Sequence, residues 1–152
     1  MPGSLHQQTG QRILLRLSRE IPAAVDHALS LGDDARHINL KKAGIFPIVH
    51  GVRSLALARH VGATGTAERI SALVADGTLD AALGQELVQS LHFLMGLRLQ
   101  AGLMEIDLGR PVTGNADPRH LSSLERDLLK DALAVVKRFK ALLHQRLRLD
   151  LL

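Results

Sequence analysis

At 152 residues with 46% hydrophobic side chains, the chain is long enough to bury one core without metal or disulfide staples. The absence of cysteine excludes disulfides and thiolate metal sites and fits a cytoplasmic protein. The net charge of +4 is spread along the sequence, and three Phe with no Tyr or Trp leave almost nothing to stack on bases, which argues against a dedicated nucleic-acid binder.

Residues 1–10 read as a disordered or artificial tail, and 11–152 as one helical domain. A first helical region is expected over Gln11–Leu31, broken near Pro22, with Leu14, Leu17, Ile21, Val25, Ala28 and Leu29 as its apolar face. Gly32–Asn39 is a polar turn, and Lys41 and Lys42 follow it directly. From Ile45 the chain predicts a helix that is apolar nearly all round, with His50, Arg53 and Ser54 on one narrow strip. Such a helix belongs in the middle of a bundle. Pro47 falls in its first turn, and Gly62 and Gly65 bracket its end.

A short helix over Thr66–Ala75 is expected next, with Thr66 as N-cap and Gly77 as stop. Asp80 then caps a long helix reaching Ala101, with Leu83, Leu87, Leu91, Leu94 and Met95 inward and Arg98 continuing the same stripe. Gly102–His120, with three glycines and two prolines, reads as a long exposed connection. Ser122 and Glu125 stand in capping-box spacing before a last helix to Leu147, which should bury Leu128, Ala132, Val135, Val136, Phe139, Leu142 and Leu143. No window alternates as a strand does, and none is apolar and uncharged for long enough to span a membrane. The expected fold is an all-α, up-and-down bundle of about five helices.

The polar residues on or beside apolar surfaces are Lys41, Lys42, His50, Arg53, Arg69 and Arg98. Arginine presents a rigid fork of donors to phosphate or carboxylate, so Arg53 and Arg98 are candidates for an anionic ligand. The structural alternative pairs each with an internal carboxylate, for which Glu86 and Glu125 are available. Phosphate-loop and dinucleotide fingerprints, a nucleophile-elbow serine and a metal-ligand spacing are all missing from the sequence, so no self-contained active site is expected.

Four segments carry a resemblance. They are Leu40-Lys41-Lys42-Ala43-Gly44-Ile45-Phe46-Pro47-Ile48-Val49-His50-Gly51-Val52-Arg53, then Thr66-Ala67-Glu68-Arg69-Ile70, then Phe93-Leu94-Met95-Gly96-Leu97-Arg98-Leu99-Gln100, and finally Leu121-Ser122-Ser123-Leu124-Glu125-Arg126. In this order the chain resembles the nucleotidyltransferase substrate-binding domain, a helical module. It departs from that pattern at Ile21-Pro22-Ala23-Ala24, and where Ala101 follows Gln100.

The resemblance implies a bacterial signal-transduction protein in which the module follows a nucleotidyltransferase domain, often behind cyclic-nucleotide-binding and CBS modules, similar to the PII-protein uridylyltransferase. It implies a non-catalytic domain that packs on a catalytic partner absent from this chain and helps to hold a nucleotide or protein acceptor. Lys41, Lys42, His50, Arg53 and Arg98 are then the substrate-binding candidates. Nucleotide triphosphate with Mg2+ is expected for the parent enzyme, and no cofactor in this chain. The alternative is a regulatory interaction or homodimerisation module, whose mark would be a large exposed apolar patch.

Overall fold

The computed structural model describes residues 37–147. The tail at 1–10 and the helix expected over Gln11–Leu31 lie outside the described residues. Within them run four α-helices: α1 (Phe46–Ala58), α2 (Thr66–Ala75), α3 (Ala81–Asp107) and α4 (Ser123–Leu147). A π-helical turn, Lys41–Ile45, feeds directly into α1, and a 3-10 turn, Pro118–His120, leads to α4. The described residues contain no strand, only an antiparallel bridge in which Ile38 and Ala116 exchange hydrogen bonds of 2.7 and 2.9 Å. The all-α expectation holds, with four α-helices among the described residues.

The start of α1 is wound differently from the expected turn. Asn39 Oδ1 accepts the Lys42 amide at 3.1 Å, so helical structure begins before the two lysines and they lie inside its opening turn. Pro47 explains the π geometry. It has no N–H for the carbonyl four residues back, and its ring would press on that group. Widening the preceding turn, so that the Phe46 amide donates to Lys41 O, lets the helix pass the proline without stopping.

α1 is the buried helix that its composition predicts. Ile48 and Val52 are fully enclosed, with Leu55 and Ala56 nearly so, and it packs on α2, α4 and the π-turn. Gly51 permits the approach of α4: a Cβ there would stand 2.7 Å from both Phe139 Cε1 and Leu143 Cδ1. α1 ends at Ala58 rather than at the expected glycines. His60 takes the left-handed conformation (φ 56°), and the Val61 amide reaches back to Ala56 O at 2.8 Å, which closes the helix in the manner usually left to glycine.

The caps fall largely where the residue types place them. Asp80 Oδ1 accepts the Leu83 amide at 2.7 Å. Ser122 Oγ accepts the Glu125 amide at 3.1 Å while Glu125 Oε1 accepts the Ser122 amide at 3.4 Å, a reciprocal capping box. Gly77 stops α2 at φ 80°. Thr66 is the first residue of α2, and Gly65 holds the N-cap position without a side-chain bond.

Two inward assignments are corrected. Met95 is 52% exposed and Leu128 is 43% exposed, each sitting just off its helix's buried arc, while Leu97 joins the expected Leu94 on α3, and Leu129 and Leu133 on α4 fill the core. α3 also runs six residues beyond Ala101, straight through Gly102. Gly102 is buried, and Glu105 beyond it anchors the returning chain.

Candidate functional site

The groups singled out by the sequence occupy one face of α1 and the bundle end beside it. Lys41 and Lys42 are exposed. The Lys41 ammonium stands 4.7 Å over the Phe46 ring, and that ring meets the His50 imidazole edge to face at 5.1 Å. Arg53 continues the row one turn on and is exposed. Ser54, expected on the same strip, is buried, and its hydroxyl donates to His50 O at 2.9 Å. The resulting row is Lys41, Phe46, His50, Arg53, about 18 Å from first to last at 1.5 Å per residue. That length exceeds what one phosphate group can bridge.

The carboxylates that might have neutralised the arginines are committed elsewhere. Glu86 pairs with Arg138 of α4, and Glu125 serves in the capping box. No hydrogen bond or ion pair ties Arg53 or Arg98 among the described residues. Arg98 does not continue the buried stripe; it is exposed, and its stem lies across Gly114, where a Cβ would be 2.8 Å from Arg98 Cγ. Arg69 has a structural task, donating from Nε to Ala63 O at 2.8 Å.

His50 is half-buried, and its Nδ1 has no hydrogen-bond partner. Burial, and then the neighbouring Arg53 charge, hold its pKa below the ordinary 6.5. The ring is therefore neutral at pH 7 and contributes apolar surface rather than charge. A lowered histidine pKa means that the unfolded chain binds the extra proton more readily, so stability is full above 6.5 and is lost as pH falls below it toward the folded value. Thermal midpoints measured between pH 7 and 5 should fall on acidification, and His50→Phe should flatten that slope. An unchanged slope in the variant would assign it to other groups.

A second feature was not legible in the sequence. The chain after α3 turns back along the helix and closes a cleft of about 520 Å³ against it, with Leu97, Ala101 and Met104 as its apolar wall and His37, Arg110 and His120 on its polar side. Two carboxylates hold the returning loop. Glu105 accepts the Thr113 amide at 2.9 Å, the Thr113 hydroxyl at 2.8 Å and the Gly114 amide at 2.8 Å.

Asp117, buried, accepts Arg119 Nη2 at 2.8 Å, Arg119 Nε at 3.1 Å and the Arg119 amide at 3.0 Å, with His120 Nδ1 at 3.8 Å and His37 Nε2 at 4.0 Å. The Arg119 hydrogen bonds bring the Asp117 carboxyl down to about 2. The expected long exposed connection is thus a tethered loop. Its sequence signal was the Asp117-Pro118 turn, since aspartate caps such turns readily, but nothing local reveals that Glu105 lies opposite Thr113.

Cleft and lysine pair share one end of the bundle. His37 on the cleft, Ile38 in the bridge to Ala116, Asn39 capping and Lys41 are nearly consecutive, and Arg98 reaches the same end through Gly114. Fold and site together define an all-α helical domain with an exposed cationic row and a ligand-sized cleft at one end. The chain belongs to the family described as putative nucleotidyltransferase substrate binding domain, which it matches over residues 17–147. No curated protein and no solved structure matches it. No helix among the described residues is long and apolar enough to cross a membrane.

Proposed function

We propose that this is the non-catalytic substrate-holding domain of a nucleotidyltransferase, packing on a catalytic domain outside this chain and presenting Lys41, Lys42, His50, Arg53 and Arg98 to the nucleotide or the acceptor. The observation that carries the reading is the uncompensated charge on the row: Arg53 is exposed without a carboxylate partner among the described residues, although Glu86 and Glu125 were available in the sequence. An anion placed there gains charge-assisted hydrogen bonds, and a partner domain that excludes water would strengthen them.

The length of the row favours an extended partner. Lys41, Lys42 and Arg53 suit the phosphates of an extended nucleotide or an acidic group on the catalytic domain, with Arg98 at the lysines' end. His50, neutral and packed between Phe46 and Arg53, supplies contact surface. The Mg2+ that accompanies a triphosphate belongs with the catalytic domain in this scheme.

Calorimetric titration of ATP and UTP into the isolated chain tests the reading. Binding should be weak, with Kd on the order of 1 mM, because half of the site is missing, and Arg53→Ala or Lys41→Ala should weaken it further. Tight binding indifferent to Arg53 and to the lysines would refute the assignment.

A further inference from the structure

Among the described residues, nothing covers a long apolar face on the second half of α3. Met95, Leu99, Leu103 and Ile106 are 52, 65, 54 and 58% exposed, and they fall within about 80° of one another on a helical wheel. The pattern is more ordered than scattered surface leucines. His92, Met95, Leu99 and Ile106, all exposed, follow at intervals of three, four and seven, the spacing of a seam on which a second helix lies with side chains interlocked. No charged Asp, Glu, Lys or Arg interrupts that seam.

The face is complementary to itself. Beside Leu99 runs a groove of about 390 Å³, lined by Gly96, Leu103, Met104 and Asp107 among others. Gly96 opens it: no atom lies within 4 Å of the place a Cβ would take. If a second α3 is laid antiparallel across the first, with the two-fold axis passing between Leu99 and Gln100, positions 96 and 103 come opposite each other, as do 92 and 107. Leu103 of each copy then drops into the notch at Gly96 of the other, and His92 faces Asp107 twice. Both pairs lie on the same flank of the helix, which a two-fold axis of this kind preserves. A parallel two-fold would put the Gly96 flanks of the two copies on opposite sides of the seam, so neither match would form.

The geometry points to a homodimer of this chain, formed by antiparallel pairing of α3 through Met95, Leu99, Leu103 and Ile106, with Leu103 seated over the partner copy's notch. The dimer does not depend on the nucleotide reading, since the α1 row takes no part in it. A catalytic domain of mixed surface could also cover apolar residues, but it gives no reason for the internal match of knob, notch and charge about one axis.

Sedimentation equilibrium of the full 152-residue chain, from low micromolar to several hundred micromolar, provides the test. A reversible monomer–dimer equilibrium is expected. Leu103→Ala should raise the dimer Kd by at least about tenfold, and Gly96→Leu should do the same by filling the notch. A Cβ at position 96 has no described atom of its own copy within 4 Å, and Gly96→Leu replaces a poor helix former, so its Tm should hold or rise, which separates lost association from lost folding. Direction is read from cross-linking, helped by the absence of native cysteine. Gly96→Cys mixed with Leu103→Cys should give a disulfide-linked pair, while Gly96→Cys alone should not.

A monomer at every concentration overturns the proposal, whether the face is covered by residues 1–36 or awaits a different protein. A dimer whose Kd ignores both Leu103→Ala and Gly96→Leu overturns it as well, and so does efficient cross-linking of Gly96→Cys alone.

Discussion

Replacing Phe139 by alanine is expected to cost about 3–5 kcal/mol of folding stability, a large share of the roughly 5–15 kcal/mol available to a domain of this kind. Phe139 is the largest fully enclosed side chain in the described core, and its ring lies on the bare backbone of Gly51 where α4 meets α1. Removing the ring takes away its transfer free energy and leaves a void between two helices whose closest approach it sets. The helices can close that void only in part, because Leu143 stands against the same glycine.

Urea unfolding with unchanged m-values would give the loss directly. The glycine supplies an internal control. Gly51→Ala in the parent protein forces a Cβ to within 2.7 Å of both the ring and Leu143 Cδ1 and should destabilise, whereas in the Phe139→Ala background only the flexible Leu143 tip stands in the way, with the emptied space to turn into, and the change gains helix propensity. The two substitutions should therefore be strongly non-additive. A cost for Phe139→Ala below about 1 kcal/mol would show that the α1–α4 contact is plastic rather than fixed by the ring.

The same contact shows what the sequence can disclose. Periodicity and cap chemistry are local, and they place α1, α2 and the starts of α3 and α4 closely: Asp80, Ser122 with Glu125, and Gly77 act where their residue types say they should. The buried character of α1 also follows from its composition. Helix ends governed by tertiary contacts are less legible. Gly102 looked like a stop, because glycine costs a free helix roughly 1 kcal/mol, yet α3 continues through it to Glu105 and the loop that Glu105 holds.

At the site, the exposure of Lys41 and Lys42 was readable, but the fates of the arginines were not. Arg53 and Ser54 flank His50 on the helical wheel, about 100° apart, and the positions of α4 and α2 decide that one faces water and the other the core. Arg98 on an apolar stripe suggested a buried guanidinium. The stripe ends there because the returning loop, and not another helix, covers that stretch of α3, and an arginine stem can lie over a glycine at φ 69° while its head stays in water. The cleft is the least legible feature, since it exists only once residues 108–117 are folded back.

That folding rests on Glu105, and Glu105→Ala should release the loop while leaving the bundle intact. The carboxylate receives three donors from Thr113 and Gly114, and these hydrogen bonds, the Thr113 amide foremost, hold its pKa below the ordinary 4.5. Because the folded value is depressed, the tether is complete above pH 4.5 and weakens as pH falls below that toward the folded value. Amide exchange gives a residue-level readout. Protection at Thr113 and Gly114 should drop at least about tenfold in Glu105→Ala at pH 7, while amides in the middle of α3 and α4 keep theirs.

Acidifying the parent protein below 4.5 should move the same two amides toward the variant's behaviour once intrinsic rates are taken out. Glu105→Gln, which keeps an acceptor oxygen but not the charge, should fall between the two. The Ile38–Ala116 bridge gives the loop a second attachment, so loss of Glu105 should open the near side of the cleft without freeing Asp117 and the turn into α4. Protection lost evenly through α3 and α4 would instead make Glu105 a determinant of the whole fold, and the cleft would then be no more than a by-product of bundle packing.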